Sequence, residues 1–364
     1  MLARSEGGGS IAARHLTAWG CAPEAAGAAV ARLGDLLTIS AIDTILETFL
    51  KPLAASAASS PLSRVHCSLN LNTETGRLSA RRPNLQNQPS LERDRFGIRK
   101  SFAAPPGQCL IVADYGQLEL RVLAHLTRCR SMIDAFAAGG DFHSRTAIGM
   151  YPEVRAAVAS GEVLLEEGEG GGGGGGGGAA LLKDRFKEQR RKAKILNFSI
   201  AYGKTAYGLA KDWGVTLGEA EATVKAWYSD RPEVLEWQCR TREGARRTGK
   251  VFTMLGRQRD LPGINTRRTA GHAERAAINT PIQGSAADIV MCAMLKVWRD
   301  EVLAGLGFRM ILQVHDEVVL EGPLEHAPAA QARLVHLMQR PFDAPLLVDL
   351  TVDAKTVLRW GDVK

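Results

Sequence analysis

Two short apolar runs, far apart in the chain and each ending on an aspartate, constrain this sequence more than any other feature. Cys109 to Ala113 leads directly into Asp114, and Arg309 to Val314 leads into His315, Asp316 and Glu317. Each run has the length and content of a buried strand. A carboxylate at the lip of such a strand is held rigidly while staying open to solvent. After Asp114, the stretch YGQLELRVLAHL sets Leu118, Val122 and Leu126 four residues apart, which predicts a helix with one apolar face. His315, Asp316 and Glu317 interrupt two β-rich segments, as at a tight hairpin turn. Between the two runs, helical patterns dominate LLKDRFKEQRRKAKILNFSIAYG and TLGEAEATVKAWYSDRPEVLEWQCRTREGARR. Helices between distant strand pieces predict an α+β fold whose sheet is assembled from both ends of the chain. Only folding could bring the two aspartates together.

The balance of 45% hydrophobic and 23% charged residues over 364 positions fits a globular protein of two or three domains. A formal net charge of +7 favours an anionic partner, since a basic surface collects polyanions by releasing their counterions. The six cysteines are scattered with no C-x-x-C pair, so neither a zinc ribbon nor a disulfide framework is readable and reduced, mostly buried thiols are expected. No apolar run of 18 or more residues occurs, which argues against a membrane span. The first 15 residues read as an irregular lead-in, with a transit peptide as the alternative. Leu36 to Leu53 reads as a helix ending near Pro52. The glycines from Gly170 to Gly178 read as a flexible surface insertion, because each loses so much backbone entropy on ordering. A phosphate-cradling loop would need a Lys-Ser/Thr ending that the run lacks.

Phosphoryl transfer suits acids placed like Asp114 and Asp316. Two magnesium ions roughly 4 Å apart lower the pKa of an attacking hydroxyl and neutralise the leaving pyrophosphate. Magnesium takes hard oxygen ligands, usually one or two carboxylates with substrate phosphates. Taken alone, Asp114 reads as a helix N-cap and Asp316 as a turn former. A second constellation shifts the balance. Arg190, Lys194, Phe198 and Tyr202 fall at four-residue intervals on one helix face, followed by Gly203. Two cations and then two aromatics would grip a triphosphate at one end and stack on a base at the other. Arg offers a forked donor, and Lys a point charge with a proton for the leaving group. A solvated basic face with a buried aromatic end is the plainer alternative.

Together these motifs resemble those of family A DNA polymerases. DYGQLELRVLAHL is similar to the first polymerase motif, RRKAKILNFSIAYG to the second and QVHDEVVLE to the third. TETGRLSARRPNLQNQP resembles the segment between thumb and palm, RAAINTPIQGSAADI the primer-template contact helix, and GGDFHSRTA the finger segment with a phosphate-binding His. The resemblance covers roughly residues 40 to 364 and is strongest to the plant and algal organellar enzymes. It implies a right-hand fold with an antiparallel palm sheet and helical fingers, the thumb largely missing. The implied domains are an N-terminal remnant over 1–62, a first palm part over 63–140, fingers over 141–274 with the Gly-rich insertion at about 160–180, and a second palm part over 275–364.

Carried over by position, the resemblance implies two Mg2+ ions bound by Asp114, Asp316 and the carbonyl of Tyr115, with Glu317 in support. Arg190, Lys194 and His143 would hold the triphosphate, with Lys194 as general acid and Gln117 beside the nucleotide. Phe198 would pack on the incoming sugar and base, and its lack of a hydroxyl implies discrimination against dideoxynucleotides. Tyr202 would take the template stacking position and then pair with Glu119, whose side chain would block a ribose 2′-OH. Arg77, Arg275 and Gln283 would reach minor-groove acceptors shared by all base pairs. Asn84, Gln86, Asn87 and His315 would contact template or primer. The implied partners are primer-template DNA and dNTPs, with no membrane and a monomeric protein in plastid or mitochondrion. The short piece ahead of Arg77 implies a fragment without visible proofreading carboxylates. Two other functions stay open: a DNA-binding remnant without activity, and a single-subunit RNA polymerase, against which Glu119 argues.

Overall fold

The computed structural model describes residues 22–89, 94, 96–139, 141–165 and 180–363. The N-terminal lead-in and the glycine run lie outside them. The chain divides into two compact units, one from the described residues of Met1–Leu69 and Ala80–Ser101, the other from Asn70–Ser79 and Phe102–Lys364.

In the smaller unit, α-helix covers Pro23–Ile45, a π-helical stretch Leu46–Leu50, and α-helix again Lys51–Ala58. The helical path therefore does not end near Pro52, as its proline suggests. Pro52 sits in the first turn of the third segment. The wider π turn ahead of it, in which Lys51 N–H reaches back to Leu46 O, makes room for the ring. Asn84 caps a 3-10 turn, its side chain accepting from Gln86 N at 3.0 Å.

The larger unit is organised by one antiparallel sheet of four strands: β1 (Gln108–Tyr115), β2 (Arg309–Val314), β3 (Glu317–Pro323) and β4 (Val352–Val357). Their spatial order is β4-β1-β3-β2, so a strand from before the helical region lies between strands from after it. The sheet assembled from both ends of the chain, expected from the sequence, is what forms. β2 matches its predicted bounds, whereas β1 runs two residues past Ala113 and takes Asp114 into the ladder. Alternation sorts β1 into two faces. Cys109, Ile111, Ala113 and Tyr115 join the main core with Val318 and Leu320, while Leu110 and Val112 join Val319 and Trp360 on the opposite side. Ile111 is fully buried, so truncation to Ala is expected to cost about 2–5 kcal/mol.

Six helices position the residues around the sheet: α1 (Leu118–Thr127), α2 (Phe142–Met150), α3 (Lys187–Ala201), α4 (Leu217–Ser229), α5 (Ala270–Arg299) and α6 (Ala327–Gln339). α3 is rich in strong helix formers and buries Ala193, Leu196, Asn197, Ile200 and Ala201 along one side. It stops at Gly203, whose φ of 67° only glycine adopts without strain. There Lys204 N donates back to Ser199 O at 2.8 Å. α5 approaches the 70–79 segment closely at Gly284, where a Cβ would stand 2.5 Å from the Thr253 methyl and 3.2 Å from the Thr75 carbonyl. Among the described residues no helix is long and apolar enough to cross a membrane, and the five described cysteines are free, with Cys109 and Cys129 buried.

Candidate active site

The two aspartates meet at one edge of the sheet. Tyr115 N–H at the end of β1 donates to the carbonyl oxygen of Asp316 at 3.2 Å. Asp316 lies in the two-residue turn between β2 and β3, where His315 takes a φ of 54°. Asp114 does not act as the helix N-cap; Gln117, with φ 56°, holds that place for α1. In the ladder Asp114 faces Glu317 on one side and Asp353 on the other. Like charges directly opposite destabilise a sheet, so three acids abreast persist for some reason other than sheet stability. Asp114 and Asp353 are exposed and Asp316 half-buried. Burial, then the charges of Glu119 and Asp114, push the Asp316 carboxyl up to about 7 against a pull from Arg77. Glu317 is oriented by Trp360, whose indole Nε1 donates to Oε1 at 2.8 Å. The Tyr115 ring is buried beneath the acids and its hydroxyl donates to Met338 O in α6 at 2.6 Å. Burial first, then the Asp316 charge, raise that phenol far above its usual value.

A second cluster joins Glu119, Arg77, Tyr202 and Gln283. Glu119, buried in the first turn of α1, accepts from Arg77 and from the Tyr202 hydroxyl at the end of α3. Gln283 of α5 lies beside the Tyr202 hydroxyl, where its amide opposes the rise in that phenol. Burial, followed by the Glu119 charge, raises the Tyr202 phenol. Arg275 is exposed on α5. It lies eight residues before Gln283, or about 12 Å along one helix face.

The third cluster lies along α3. Arg190 Nε donates to Asp141 Oδ2 at 2.7 Å, and Gln117 Nε2 donates to Asp141 Oδ1 at 2.8 Å. Asp141 also caps α2, accepting from Ser144 N at 2.9 Å. Burial pushes the Asp141 carboxyl up, but the Arg190 and Ser144 hydrogen bonds outweigh it and hold it below the usual range. His143 is buried in the first turn of α2. Burial drives its pKa down to about 4, with Asp141 opposing and Arg190 and Lys194 reinforcing, so it is neutral near pH 7. The His143 and Phe198 ring centroids lie 5.5 Å apart and those of Phe198 and Tyr202 5.9 Å. Lys194 is exposed on the same row of α3.

Asp114, Asp316, Glu317, Tyr115, Glu119, Gln117, His143, Arg190, Lys194, Phe198, Tyr202, Arg77, Arg275, Gln283 and His315 thus all belong to the larger unit. Asn84, Gln86 and Asn87 belong to the smaller one. Sequence reasoning did not single out Asp141, Asn197, Trp227, Asp353 or Trp360. Asp141 carried a readable signal as an N-cap residue before Phe142. Asn197 did too, as an amide in the otherwise apolar stripe of α3.

Among the described residues no group of three or more His, Cys, Asp and Glu side chains could by itself hold a metal ion. The acids nevertheless suit a magnesium-like cation, which takes one or two carboxylates and completes its shell with phosphate and water. A divalent charge there would offset the burial and the like charges that raise the Asp316 carboxyl.

A family model described as DNA polymerase family A matches residues 28–161 and 180–362, passing over the stretch with the glycine run. DNA polymerase I A, chloroplastic/mitochondrial, of Arabidopsis thaliana is 55% identical over 334 residues, covering 91% of this chain and 32% of that protein. The thermostable DNA polymerase I of Thermus filiformis is 36% identical over 322 residues, covering 87% of this chain and 35% of the relative. Among solved structures, the POL domain of Pol1 from M. smegmatis in complex with DNA primer-template and dNTP superposes with a TM-score of 0.71 at 32% identity, over 86% of this chain and 50% of that one. The chain spans about a third of the length of the curated relatives it matches. With the motifs in order, the acids assembled at one sheet edge and these matches across nearly its whole length, the chain belongs to DNA polymerase family A.

Proposed function

We propose that this chain is the polymerase portion of an enzyme that adds deoxynucleotides from dNTPs to a primer 3′-OH under the direction of a template, in plastid or mitochondrial DNA replication or repair. The observation that carries the proposal is the pairing of Asp114 with Asp316 through the Tyr115 N–H···O bond, beside Glu119, which accepts from Tyr202 at the end of the α3 row of Arg190, Lys194, Phe198 and Tyr202. In this reading residues 63–140 and 275–364 form the palm, 141–274 the fingers and 1–62 an N-terminal remnant, either thumb base or irregular lead-in. Relatives whose names place them in chloroplast and mitochondrion support the location.

Asp114 and Asp316, with the Tyr115 carbonyl, would hold two Mg2+ ions, and Glu317 would steady the site through Trp360. When bound, such ions lower the pKa of the attacking hydroxyl and neutralise charge on the leaving pyrophosphate. Arg190 would exchange Asp141 for the triphosphate, presenting its forked donors. Lys194 would supply a compact charge and a proton to the leaving oxygen. His143 would add a neutral donor to the phosphates. Glu119, fixed between Arg77 and Tyr202, would occupy the space a ribose 2′-OH needs, while Phe198 packs on sugar and base. Arg77, Arg275 and Gln283 would read minor-groove acceptors common to every base pair. His315, Asn84, Gln86 and Asn87 would touch the strands near the primer end.

The test is primer extension by the purified chain with magnesium on a recessed primer, with Asp114→Ala as control. Template-directed dNTP insertion that vanishes in the variant is the expected result. Primer-template binding without insertion would overturn the proposal in favour of an inactive binding module.

A further inference from the structure

Asn197 is fully buried in the middle of α3, and its amide is spent on side chains from two other helices. Trp227 Nε1 of α4 donates to its Oδ1 at 2.9 Å. Its Nδ2 lies 3.0 Å from Thr146 Oγ1 and 3.1 Å from His143 Nδ1 in α2. The Thr146 hydroxyl is already donated to Phe142 O at 2.9 Å, which leaves its oxygen free to accept from Nδ2. An indole N–H only donates, so the amide atom facing Trp227 is the oxygen. The NH2 therefore faces His143, and since it too only donates, Nδ1 of the ring must carry a lone pair. The single ring proton then sits on Nε2, on the far side of the imidazole.

We infer that Trp227 and Asn197 together lock His143 in its Nε2–H tautomer, making it a permanent neutral hydrogen-bond donor to the phosphates of the incoming nucleotide. Asn197 is a positioning residue, acting only through the histidine. The inference rests on the proposed role of His143 as a phosphate ligand. The chemistry requires this tautomer, because the other would aim a lone pair at phosphate oxygen and repel it. A second proton on the ring is disfavoured as well, since Nδ1–H would collide with the amide N–H. Burial and the cations Arg190 and Lys194 of α3 act in the same direction, and Asp141 at the start of α2 opposes them.

Asn197→Asp separates this from mere packing. The carboxylate is nearly the same shape and still accepts from Trp227, but it would also accept from His143, moving the neutral ring's proton to Nδ1 and favouring a second proton. Nitrogen-15 chemical shifts of the ring, assigned by comparison with His143→Ala, should report Nε2–H in the unaltered chain and Nδ1–H in Asn197→Asp. KM for dNTP should rise on the order of tenfold in the variant near pH 8, the loss expected for one hydrogen bond to a charged group. It should recover toward the value of the unaltered chain, measured at the same pH, at about pH 6, where the doubly protonated ring regains Nε2–H. Trp227→Phe, which frees the amide to flip, should give a mixture of tautomers and serves if Asn197→Asp does not fold. An Nδ1–H signal in the unaltered chain overturns the inference, and so does a KM rise of equal size at both pH values. If His143→Ala leaves KM for dNTP unchanged, the phosphate role of His143 falls and the functional half of the inference with it; the spectrum alone then judges the tautomer.

Discussion

The backbone N–H of Tyr115 donates to the carbonyl of Asp316 at 3.2 Å, so a strand from the first third of the chain and a hairpin turn near its end are joined beside their acids. Each acid sits next to the atom that makes the bond. Neither can move away without breaking the sheet edge, which gives a carboxylate pair the rigidity that catalysis by positioned charge requires.

Removing either acid should therefore abolish chemistry and spare the fold. Asp114→Ala and Asp316→Ala are each expected to slow single-nucleotide insertion on the order of 10³-fold. Circular dichroism should match that of the parent, and neither variant should melt at a lower temperature. A variant that inserts at the parental rate would remove that acid from the mechanism.

The raised pKa of Asp316 predicts how stability depends on pH in metal-free buffer. With a folded value of about 7 against about 3.9 unfolded, the folded state binds the extra proton between those values. Stability from this group is therefore full below the unfolded value and is lost as pH rises through about 7. Asp316→Asn should melt higher than the parent at pH 8, by roughly 1–3 kcal/mol, with the difference closing toward pH 4. A variant less stable than the parent at pH 8 would contradict it.

Glu119 holds Arg77 and Tyr202 together from a buried position. Glu119→Ala leaves both partners without their acceptor and should cost about 1–3 kcal/mol in chemical denaturation. If the side chain also fills the 2′-OH space, the same variant should insert rNTPs more readily relative to dNTPs. Unchanged sugar selectivity would assign Glu119 a structural role alone.

Asp141 bridges Arg190, Gln117 and the N-terminus of α2. Asp141→Ala removes a helix cap worth about 1 kcal/mol and an ion pair besides. Because the folded carboxyl lies below the usual range, its contribution is fully present above the unfolded value and disappears as pH falls through the folded one. Urea melts at pH 7 should show the loss, and melts in strong acid should show little difference between Asp141→Ala and the parent.

Much of this site was legible because its parts are local patterns. An apolar run ending on Asp114, the four-residue row from Arg190 to Tyr202 and the acids breaking the β-rich stretch 309–320 each report a backbone periodicity that neighbouring residues impose. Pro52 misled for the same reason: a proline stop is a local rule, and the π turn of Leu46–Leu50 let the helical path continue. Trp360 and Asp353 could not be read. Their importance comes from partners across strands, Glu317 and Asp114, that no spacing in the sequence announces.

By itself the sequence determined which segments become strands and helices, which of them end on acids, and which helix face carries cations before aromatics, because those depend on side-chain order along a few turns. Only the tertiary structure decided that Asp114, Asp316 and Glu317 share one sheet edge, that Glu119 is clamped between Arg77 and Tyr202, and that His143 is held neutral. Those outcomes depend on hydrogen-bond register and burial between segments far apart in the chain, and the shift of a buried carboxyl or imidazole is set by the charges folding places around it.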